Sequence, residues 1–245
     1  MLRRLLTPAL FLFSLVACAQ STAPAPTAKP AARPATAPAA VPRVGVDYEV
    51  LAVPQPTFAL GKIEVAEVFS YQCIHCAEFQ PQVNAWKKTL PADARWEYVP
   101  AVFGGTWDNF ARAFFAAQVL GVQPRTHDLV FKGVFVDKTI KGGSPDEIAD
   151  LYAKLGVDRA KFLATMKSFG VTAKLNRAKQ FALRTGITAT PTIIVNGKYR
   201  VNVTTDGGFP VMLSTVNYLI GLERAAAAKA KPAPPKAVPA PAKKS

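Results

Sequence analysis

The sequence is poor in cysteine and histidine, with three cysteines and two histidines among its 245 residues. A structural zinc site needs four ligands, usually from two CxxC pairs or from one pair and two histidines. Cys73 and Cys76 form one CxxC pair, but the chain has no second pair, and His127 has no partner at ligand spacing. A framework of several disulfides would need more cysteines at wider spacing. No nucleotide motif is present either, so the sequence predicts no metal site, no cofactor and no disulfide framework.

The apolar run near the N terminus, residues 5–16, is too short to span a bilayer as a helix, which takes about 20 residues. It follows two arginines and precedes small residues, so residues 1–19 fit a secretory signal peptide. The letters LVAC at residues 15–18 also resemble a bacterial lipobox. In that alternative the signal is residues 1–17 and Cys18 is lipidated. Both alternatives predict an exported protein, and they differ in whether it carries a lipid anchor.

Large apolar residues are scarce at both ends of the mature chain. Residues 20–43 are rich in Ala and Pro, and residues 225–245 in Ala, Pro and Lys, so both are predicted to be a disordered linker and tail. Of the net charge of +14, five positive charges precede Asp47 and six lie from Arg224 onward. A nucleic-acid binder carries its basic patch on the folded part, so the charge distribution argues against this class.

The folded part, residues 44–224, reads as an α/β domain with a block of helices set into it. A strand is predicted over residues 62–72, followed by the cysteines, a helix and a second strand near residues 95–103. Helices are predicted throughout residues 106–185, and one of them is predicted to end at Phe169, directly before Gly170. A hairpin turning at Asn196–Gly197 and a last helix from Gly208 to about Ala228 complete the order.

Cys73 follows the predicted strand and opens a helix, where unpaired backbone N–H groups and the positive end of the helix dipole favour a thiolate. Cys76 lies one turn later and can close a small ring with it. His75, between them, either stabilises the Cys73 thiolate through its ring or is simply exposed on the first turn. A stabilised reduced form would make the disulfide a stronger oxidant.

Glu67 is the unusual residue of the first predicted strand. Counting by two places its carboxyl on the same face as the apolar Val65 and Phe69. If buried there, its pKa would rise and it could exchange a proton with the inner cysteine. The alternative is a glutamate at the end of the strand that reaches solvent. His127 is interpreted as an ordinary surface or cap residue.

Three segments resemble the bacterial DsbA family of exported thiol oxidases: EVFSYQCIHC at residues 67–76, TPT at 190–192 and VNGKY at 195–199. The resemblance extends from about Tyr48 to Leu222. It implies a thioredoxin fold formed by residues 44–103 and 171–224, with an inserted all-helical domain at residues 104–170. It also implies that Pro191 is cis beside the CxxC pair and that Thr190 offers backbone groups to an extended substrate.

Carried over residue by residue, the resemblance makes Cys73 the exposed nucleophile, Cys76 its buried partner in a redox-active disulfide, His75 the tuning residue and Glu67 the buried acid. Two features depart from the family. Ile74 stands where oxidising members usually have proline. The lysine that some members pair with the buried acid has no clear match in residues 95–103.

The resemblance therefore implies a monomeric periplasmic thiol:disulfide oxidoreductase, soluble or lipid-anchored, that introduces disulfides into newly exported cysteine-containing proteins. Its implied partner is a DsbB-type membrane quinone reductase that reoxidises it. Ile74 keeps a disulfide reductase or isomerase of the same superfamily open. A third alternative is a non-enzymatic, lipid-tethered binding module in which the disulfide only staples the helix start, although so short a loop stabilises little.

Overall fold

The computed structural model describes residues 41–58 and 61–230. The predicted signal segment, Cys18, nearly all of the predicted linker and the end of the predicted tail lie outside these residues. Within the described part, no helix has both the length and the apolar character needed to cross a membrane.

The described residues form one five-stranded sheet, in the order β1-β5-β4-β2-β3. The strands are β1 (Glu49–Val50), β2 (Ile63–Phe69), β3 (Ala94–Pro100), β4 (Thr192–Val195) and β5 (Tyr199–Asn202). β2 and β3 are parallel, whereas β4 runs antiparallel to both β2 and β5. Helix α1 (Ile74–Lys87) connects β2 to β3, and it begins directly after the first cysteine.

Five helices lie between β3 and β4, as the predicted helical block requires. They are α2 (Thr106–Val119), α3 (Gln123–Phe135), α4 (Pro145–Lys154), α5 (Arg159–Met166) and α6 (Phe169–Arg184). The last helix, α7, covers Gly208–Ala230. The architecture is thus the predicted α/β arrangement with a helical insertion.

The central strand β2 is buried along almost its whole length, which explains its nearly continuous apolar sequence. Val65 packs in a cluster with residues of α1 and α7, such as Val83 and Val216. Ala66 and Val68 belong to a second cluster that is built mainly from the inserted helices. β2 therefore lies between two apolar cores, and its C-terminal end leads into the cysteine pair.

The predicted hairpin is present between β4 and β5. Asn196 and Gly197 have φ values of 50° and 66°, both in the left-handed region that a two-residue hairpin turn of this type requires. The N–H of Lys198 donates to the carbonyl oxygen of Val195 at 2.9 Å and closes the turn. The carbonyl of Gly197 also accepts a 2.7 Å bond from the N–H of Gln55, so the hairpin holds the N-terminal segment.

Two predicted boundaries are wrong. α5 ends at Met166, and Gly170 lies inside the first turn of α6, because the hydroxyl of Ser168 accepts from the N–H of Val171 at 3.3 Å and caps a new helix. The domain boundary predicted at residue 170 therefore falls within a helix. Residues 225–230 belong to α7, so the start of the disordered tail predicted at residue 225 is wrong, whereas the last helix predicted to end at about Ala228 is close to the observed end. The high helix propensity of alanine explains the extension.

The hairpin turn yields a stability prediction for Gly197. A Cβ there would lie 2.0 Å from the carbonyl oxygen of Gln55, whereas a Cβ on Gly156, also at positive φ, would meet nothing within 4 Å. G156A should lose about 1–2 kcal/mol of unfolding free energy from backbone strain alone. G197A should lose at least about 2 kcal/mol more, because a backbone atom must move. Urea denaturation of both variants measures the difference, and equal losses would contradict the close approach.

Candidate active site

Cys73 is the N-cap residue of α1. Its backbone is extended (φ −91°, ψ 112°), and its Sγ accepts a hydrogen bond from the backbone N–H of Cys76 at 3.3 Å. An N-cap side chain normally accepts such a bond through a serine or aspartate oxygen, satisfying an N–H that the helix leaves unpaired. A sulfur in this position is held where negative charge is favoured by the N–H groups and by the helix dipole.

The two sulfurs differ in accessibility. Cys73 keeps 9% of its accessible surface, whereas Cys76 keeps none. Cys73 is less exposed than the resemblance implies, because the loop before β4 covers it and its Sγ lies 3.2 Å from the carbonyl oxygen of Thr190. Both cysteines carry free thiols, so the structure describes the dithiol form.

The same surroundings move the pKa values of the two thiols in opposite directions. The pKa of Cys73 is lowered to about 6, first by the hydrogen bond from the Cys76 thiol and then by Thr190 and the backbone N–H groups of Cys76 and His75, against the opposing effect of burial. Burial is the main cause that raises the pKa of Cys76, and the charge of Glu67 adds to it. At neutral pH the pair therefore consists of one thiolate and one thiol.

The loop that faces Cys73 carries the Thr190–Pro191 peptide bond, which is cis as the resemblance implies. Pro191 is buried, while Thr190 is half-buried. Although Thr190 lies 117 residues from Cys73 along the chain, the sheet brings it into contact with the sulfur, because β4 pairs with β2 just before the cysteines.

The His75 side chain is exposed, and its Nδ1 lies 3.1 Å from Oε2 of Glu78 one turn along α1. The backbone N–H of His75 favours the Cys73 thiolate. The tuning role of the imidazole ring stays a prediction.

Glu67 is buried, with 1% of its surface accessible, so the alternative of a carboxyl that reaches solvent is wrong. Its Oε2 has no hydrogen-bond partner. Burial raises the pKa of Glu67 to about 8, with Lys87 acting in the opposite direction and Cys73 adding to the rise. Since the charge of Glu67 also raises the pKa of Cys76, the carboxyl is electrostatically coupled to both sulfurs.

The interpretation of His127 as a surface or cap residue is wrong. Its ring is 3% exposed, its Nδ1 lies 2.8 Å from the hydroxyl of Tyr71, and its centroid is 4.2 Å from that of Tyr98. Burial, and secondarily the charge of Lys87, lowers the pKa of His127 to about 3, so the ring is neutral. Phe69 and Phe131 also pack against it at their ring edges.

Sequence reasoning also missed Lys87 and its neighbours on α1. Gln80, Asn84 and Lys87 follow at helical spacing and face β3 and α3, where their side chains are hydrogen-bonded. The signal was available as a polar i, i+4, i+7 series. The apolar series on the same helix predicts one buried face, and it gives no sign that the polar series packs against β3 and α3. Among the described residues, no group of three or more His, Cys, Asp or Glu side chains could hold a metal ion.

Comparison with known proteins gives a consistent set of similarities. The family description "DSBA-like thioredoxin domain" matches residues 97–211. The thiol:disulfide interchange protein DsbA of Pseudomonas aeruginosa is 40% identical over 185 residues, which are 76% of this chain and 87% of that protein. The protein of the same name from Azotobacter vinelandii is 38% identical over 184 residues, covering 75% of this chain and 86% of the relative.

Solved structures agree with these matches. The oxidoreductase DsbA from Xylella fastidiosa is similar with a TM-score of 0.71 at 41% identity, covering 76% of this chain and 99% of the other. Pseudomonas aeruginosa DsbA gives a TM-score of 0.71 at 40% identity, with coverage of 75% and 95%. The likeness therefore extends over nearly the whole length of both solved proteins.

The asymmetry of the two thiols predicts a selective alkylation. In the reduced protein, iodoacetamide should modify Cys73 with a rate whose midpoint lies near pH 6, because only the thiolate reacts and the pKa of Cys73 is lowered to about 6. Cys76 should stay unmodified up to pH 9. Peptide mass spectrometry assigns the modified residue, and modification of Cys76 first, or a midpoint near pH 9, would contradict the assignment.

A linked stability effect follows from the same pKa. A folded-state pKa below that of the unfolded chain contributes stability that is fully present above the unfolded pKa of about 9 and is lost as the pH falls through about 6. Glu67, whose pKa is raised, acts in the opposite direction between about pH 4.5 and 8. The difference in unfolding free energy between reduced wild type and C73S cancels the Glu67 effect to first order, and it should rise from pH 6 to pH 9.

Proposed function

Because the chain belongs to the DsbA family of thiol:disulfide oxidoreductases, we propose that it introduces disulfide bonds into exported, cysteine-containing proteins through Cys73 and Cys76. The observation that carries the proposal is the arrangement of the two sulfurs. Cys73 caps α1 with its pKa lowered to about 6, and Cys76 lies fully buried behind it. Because a stabilised thiolate lowers the energy of the reduced pair, the disulfide form of the pair is a strong oxidant.

In the first step, a substrate thiolate attacks Sγ of Cys73 in the oxidised protein. The new bond joins the substrate sulfur to Cys73, the Cys73–Cys76 bond breaks, and Cys76 leaves with the electron pair. Attack at Cys73 is favoured because Cys76 has no accessible surface. The leaving Cys76 sulfur needs a proton, because burial strongly disfavours its thiolate.

In the second step, another substrate thiolate attacks the substrate sulfur of the mixed disulfide. A substrate disulfide forms, and Cys73 leaves as a thiolate that the N–H of Cys76 and the helix dipole stabilise. The substrate has lost two electrons and the Cys73–Cys76 pair has gained them. Reoxidation by a disulfide-bearing membrane partner of the DsbB type reverses the exchange at the same pair.

Glu67 acts as the proton donor and acceptor of the buried sulfur in this proposal. A carboxyl with a pKa raised to about 8 is mostly protonated at neutral pH and can give its proton to the leaving Cys76 thiolate. During reoxidation the carboxylate takes the proton back, and Cys76 attacks Cys73. Its burial and its electrostatic coupling to both sulfurs support this role.

Thr190 and Pro191 are proposed to position the substrate. The carbonyl of Thr190 lies beside the Cys73 sulfur, at 3.2 Å, at the end of the loop that precedes β4. An extended substrate segment could therefore hydrogen-bond with this backbone while its cysteine meets Cys73. The exposed His75, whose backbone N–H already favours the thiolate, is proposed to tune it further through its ring.

The setting that we propose is the periplasm, where exported proteins acquire disulfides. The signal-like residues 1–19 support export, and the alternative signal 1–17 would tether the protein through a lipid on Cys18. The working form is proposed to be a monomer without a cofactor. Residues 44–103 and 171–224 would form the thioredoxin-like domain and residues 104–170 the helical domain, and α6 would cross the boundary between them.

A reductase or isomerase is the second candidate, and Ile74 is the observation that favours it. This side chain occupies the first position between the cysteines, where oxidising members usually have proline, and it is 44% exposed. It therefore alters both the start of α1 and the surface that a partner meets.

The reduction potential separates the two candidates. Equilibration of the purified protein with glutathione buffers should give a reduction potential of about −120 mV, at the strongly oxidising end of this family. A potential of about −270 mV, where thioredoxin lies, would contradict the oxidase and favour the reductase. I74P is the matched variant, because it restores the proline that oxidising members usually have. Its reduction potential should lie within about 30 mV of the wild-type value, because the surroundings of the Cys73 thiolate set the potential.

Activity variants test the roles of the two sulfurs. Oxidised wild type should convert a reduced dithiol peptide to its disulfide. C73S should lose this activity. C76S, mixed with the disulfide-linked dimer of a monothiol peptide, should form a mixed disulfide at Cys73 and release one peptide thiol, and this adduct should persist because Cys76 is absent and cannot close the internal disulfide. Mass spectrometry of the protein–peptide adduct checks both results, and an active C73S would overturn the assignment.

A further inference from the structure

The inner side of α1 carries three polar residues, Gln80, Asn84 and Lys87, which we call the α1 polar row. The amide of Gln80 donates to the hydroxyl of Tyr98 and to Oδ1 of Asp128, both at 2.9 Å. The amide of Asn84 donates to Oδ2 of Asp128 at 2.8 Å, and Nζ of Lys87 donates to the Tyr98 hydroxyl at 2.8 Å. The row therefore joins α1 to β3 and to α3 of the helical insertion.

Lys87 is held beside the strand pair that carries Glu67. In the parallel register of β2 and β3, Glu67 stands opposite Tyr98, so the two side chains lie on the same side of the sheet. Nζ of Lys87 lies 2.8 Å from the Tyr98 hydroxyl and 4.8 Å from the centroid of its ring. The ammonium group is thus held on Tyr98, the strand neighbour of Glu67, and its charge acts against the raised pKa of the buried carboxyl.

The groups around Glu67 and its strand neighbour Tyr98 come from four elements. They are the two sulfurs at the start of α1 and Lys87 near its end, Tyr98 of β3, His127 and Asp128 of α3, and, from β4, the apolar Ile193 in register with Glu67. His127 is neutral at the pH of interest, because its pKa is lowered to about 3. Within the part of the chain that the structure describes, Lys87 is the positive charge among these groups.

β3 does not provide this charge itself. Its basic residue, Arg95, pairs with Glu97 of the same strand, Nη2 to Oε2 at 2.9 Å, and half of the arginine side chain is exposed. The positive charge that acts on Glu67 therefore comes from Lys87 on α1 and not from a residue of β3.

We propose that Lys87 is a positioning residue that sets the proton occupancy of Glu67, and through it the pH range in which the buried Cys76 exchanges its proton. The Tyr98 hydroxyl holds Lys87 in place for this role, and the charge of Asp128 favours its ammonium form. The inference deepens the proposed function and rests on it, since it requires that Glu67 exchanges a proton with Cys76 during thiol–disulfide exchange.

Lys87 acts on Glu67 because the two protonation states of the carboxyl interact differently with a nearby positive charge. Oε2 of Glu67 has no hydrogen-bond partner, so its carboxylate is stabilised mainly by nearby positive charge. When Cys76 takes the proton, the charge of Lys87 favours the carboxylate that is left on Glu67. When Cys76 must attack again, that carboxylate accepts the proton back. Without Lys87 the carboxyl would hold its proton to higher pH and would be a poorer base at neutral pH.

The charge of Asp128 favours the ammonium form of Lys87. Burial lowers the pKa of Lys87, whereas the carboxylates of Asp128 and Glu67 both oppose that effect. Asp128 is exposed, and it reaches the α1 polar row through Gln80 and Asn84. The helical insertion thereby contributes a charge to the proton chemistry of the sheet domain.

The test compares K87M with K88M in the reduced protein. Lys88 follows directly, caps the end of α1 and is exposed, so K88M removes the same charge from the same helix end without touching the α1 polar row. Carbon-13 NMR of labelled glutamate, with the Glu67 signal identified by its loss in E67Q, follows the carboxyl titration. The midpoint should lie near pH 8 in wild type and K88M, about one unit higher in K87M, and near the wild-type value in K87R.

Kinetics give a second readout, which a purely structural role would not move. Oxidised glutathione forms a mixed disulfide with reduced Cys73, and Cys76 then closes the internal disulfide with Glu67 as base. For a shift of one unit, this closure in K87M should be about tenfold slower than in K88M at pH 7 and within about twofold at pH 9. In the E67Q background the two lysine variants should be indistinguishable.

The outcomes separate this inference from the proposed function. If wild type forms no internal disulfide at Cys73 and Cys76, the proposed function fails. If wild type and K88M react and K87M shows the same carboxyl midpoint and the same pH profile, the role of Lys87 is overturned while the function stands. Should K87M fail to fold, K87Q is measured in its place. Y98F, which removes only the hydroxyl that holds Lys87, should shift the midpoint in the same direction by less.

Discussion

The hydrogen bond from the N–H of Cys76 to Sγ of Cys73 is the interaction on which the rest of the site depends. It makes a cysteine the N-cap of α1, so a sulfur occupies the position where the helix offers unpaired donors and its positive dipole end. The placement requires β2 to end at Phe69 and α1 to begin directly after Cys73. The fold thereby converts a local helix-capping requirement into a reactive thiolate.

A second constraint acts on the opposite side of the pair. Cys76 and Glu67 are both buried, so each is disfavoured as an anion, and their negative forms also disfavour one another. A proton can pass between the two groups, because burial disfavours the anionic form of both. Lys87 alters that balance from the far end of the same helix. The two ends of α1 thus act on the same chemistry, one through Cys73 and one through Glu67.

The helical insertion takes part in the site as well as covering it. His127 and Asp128, adjacent on α3, face β3 and the α1 polar row, and the neutral His127 packs among Phe69, Tyr71 and Tyr98. A helix that only shielded the sheet would need apolar residues there. The presence of a buried histidine and a hydrogen-bonded aspartate at this contact means that the insertion fixes polar groups next to Tyr98, the strand neighbour of Glu67.

The sequence by itself determined the features that depend on neighbours along the chain: the strand leading into the cysteines, the order of elements, the Asn196–Gly197 turn and the placement of Cys73 at a helix start. Local steric and hydrogen-bonding rules operate over a few residues and are visible in a single segment. The alternation in β2 likewise indicated that the Glu67 carboxyl lies on an apolar side. The cap at Ser168 is also a local signal, but Gly170, two residues later, predicts a helix end at the same place, and the structure shows that the cap prevails.

Only the tertiary structure decided which distant residues meet. Thr190 covers Cys73 across 117 positions, and His127 lies in the core rather than at the surface. The positive charge near Glu67 comes from α1 rather than from β3. Each of these depends on how helices pack on a sheet, and burial, which governs the pKa values of Glu67, His127 and Cys76, arises only when that packing removes water.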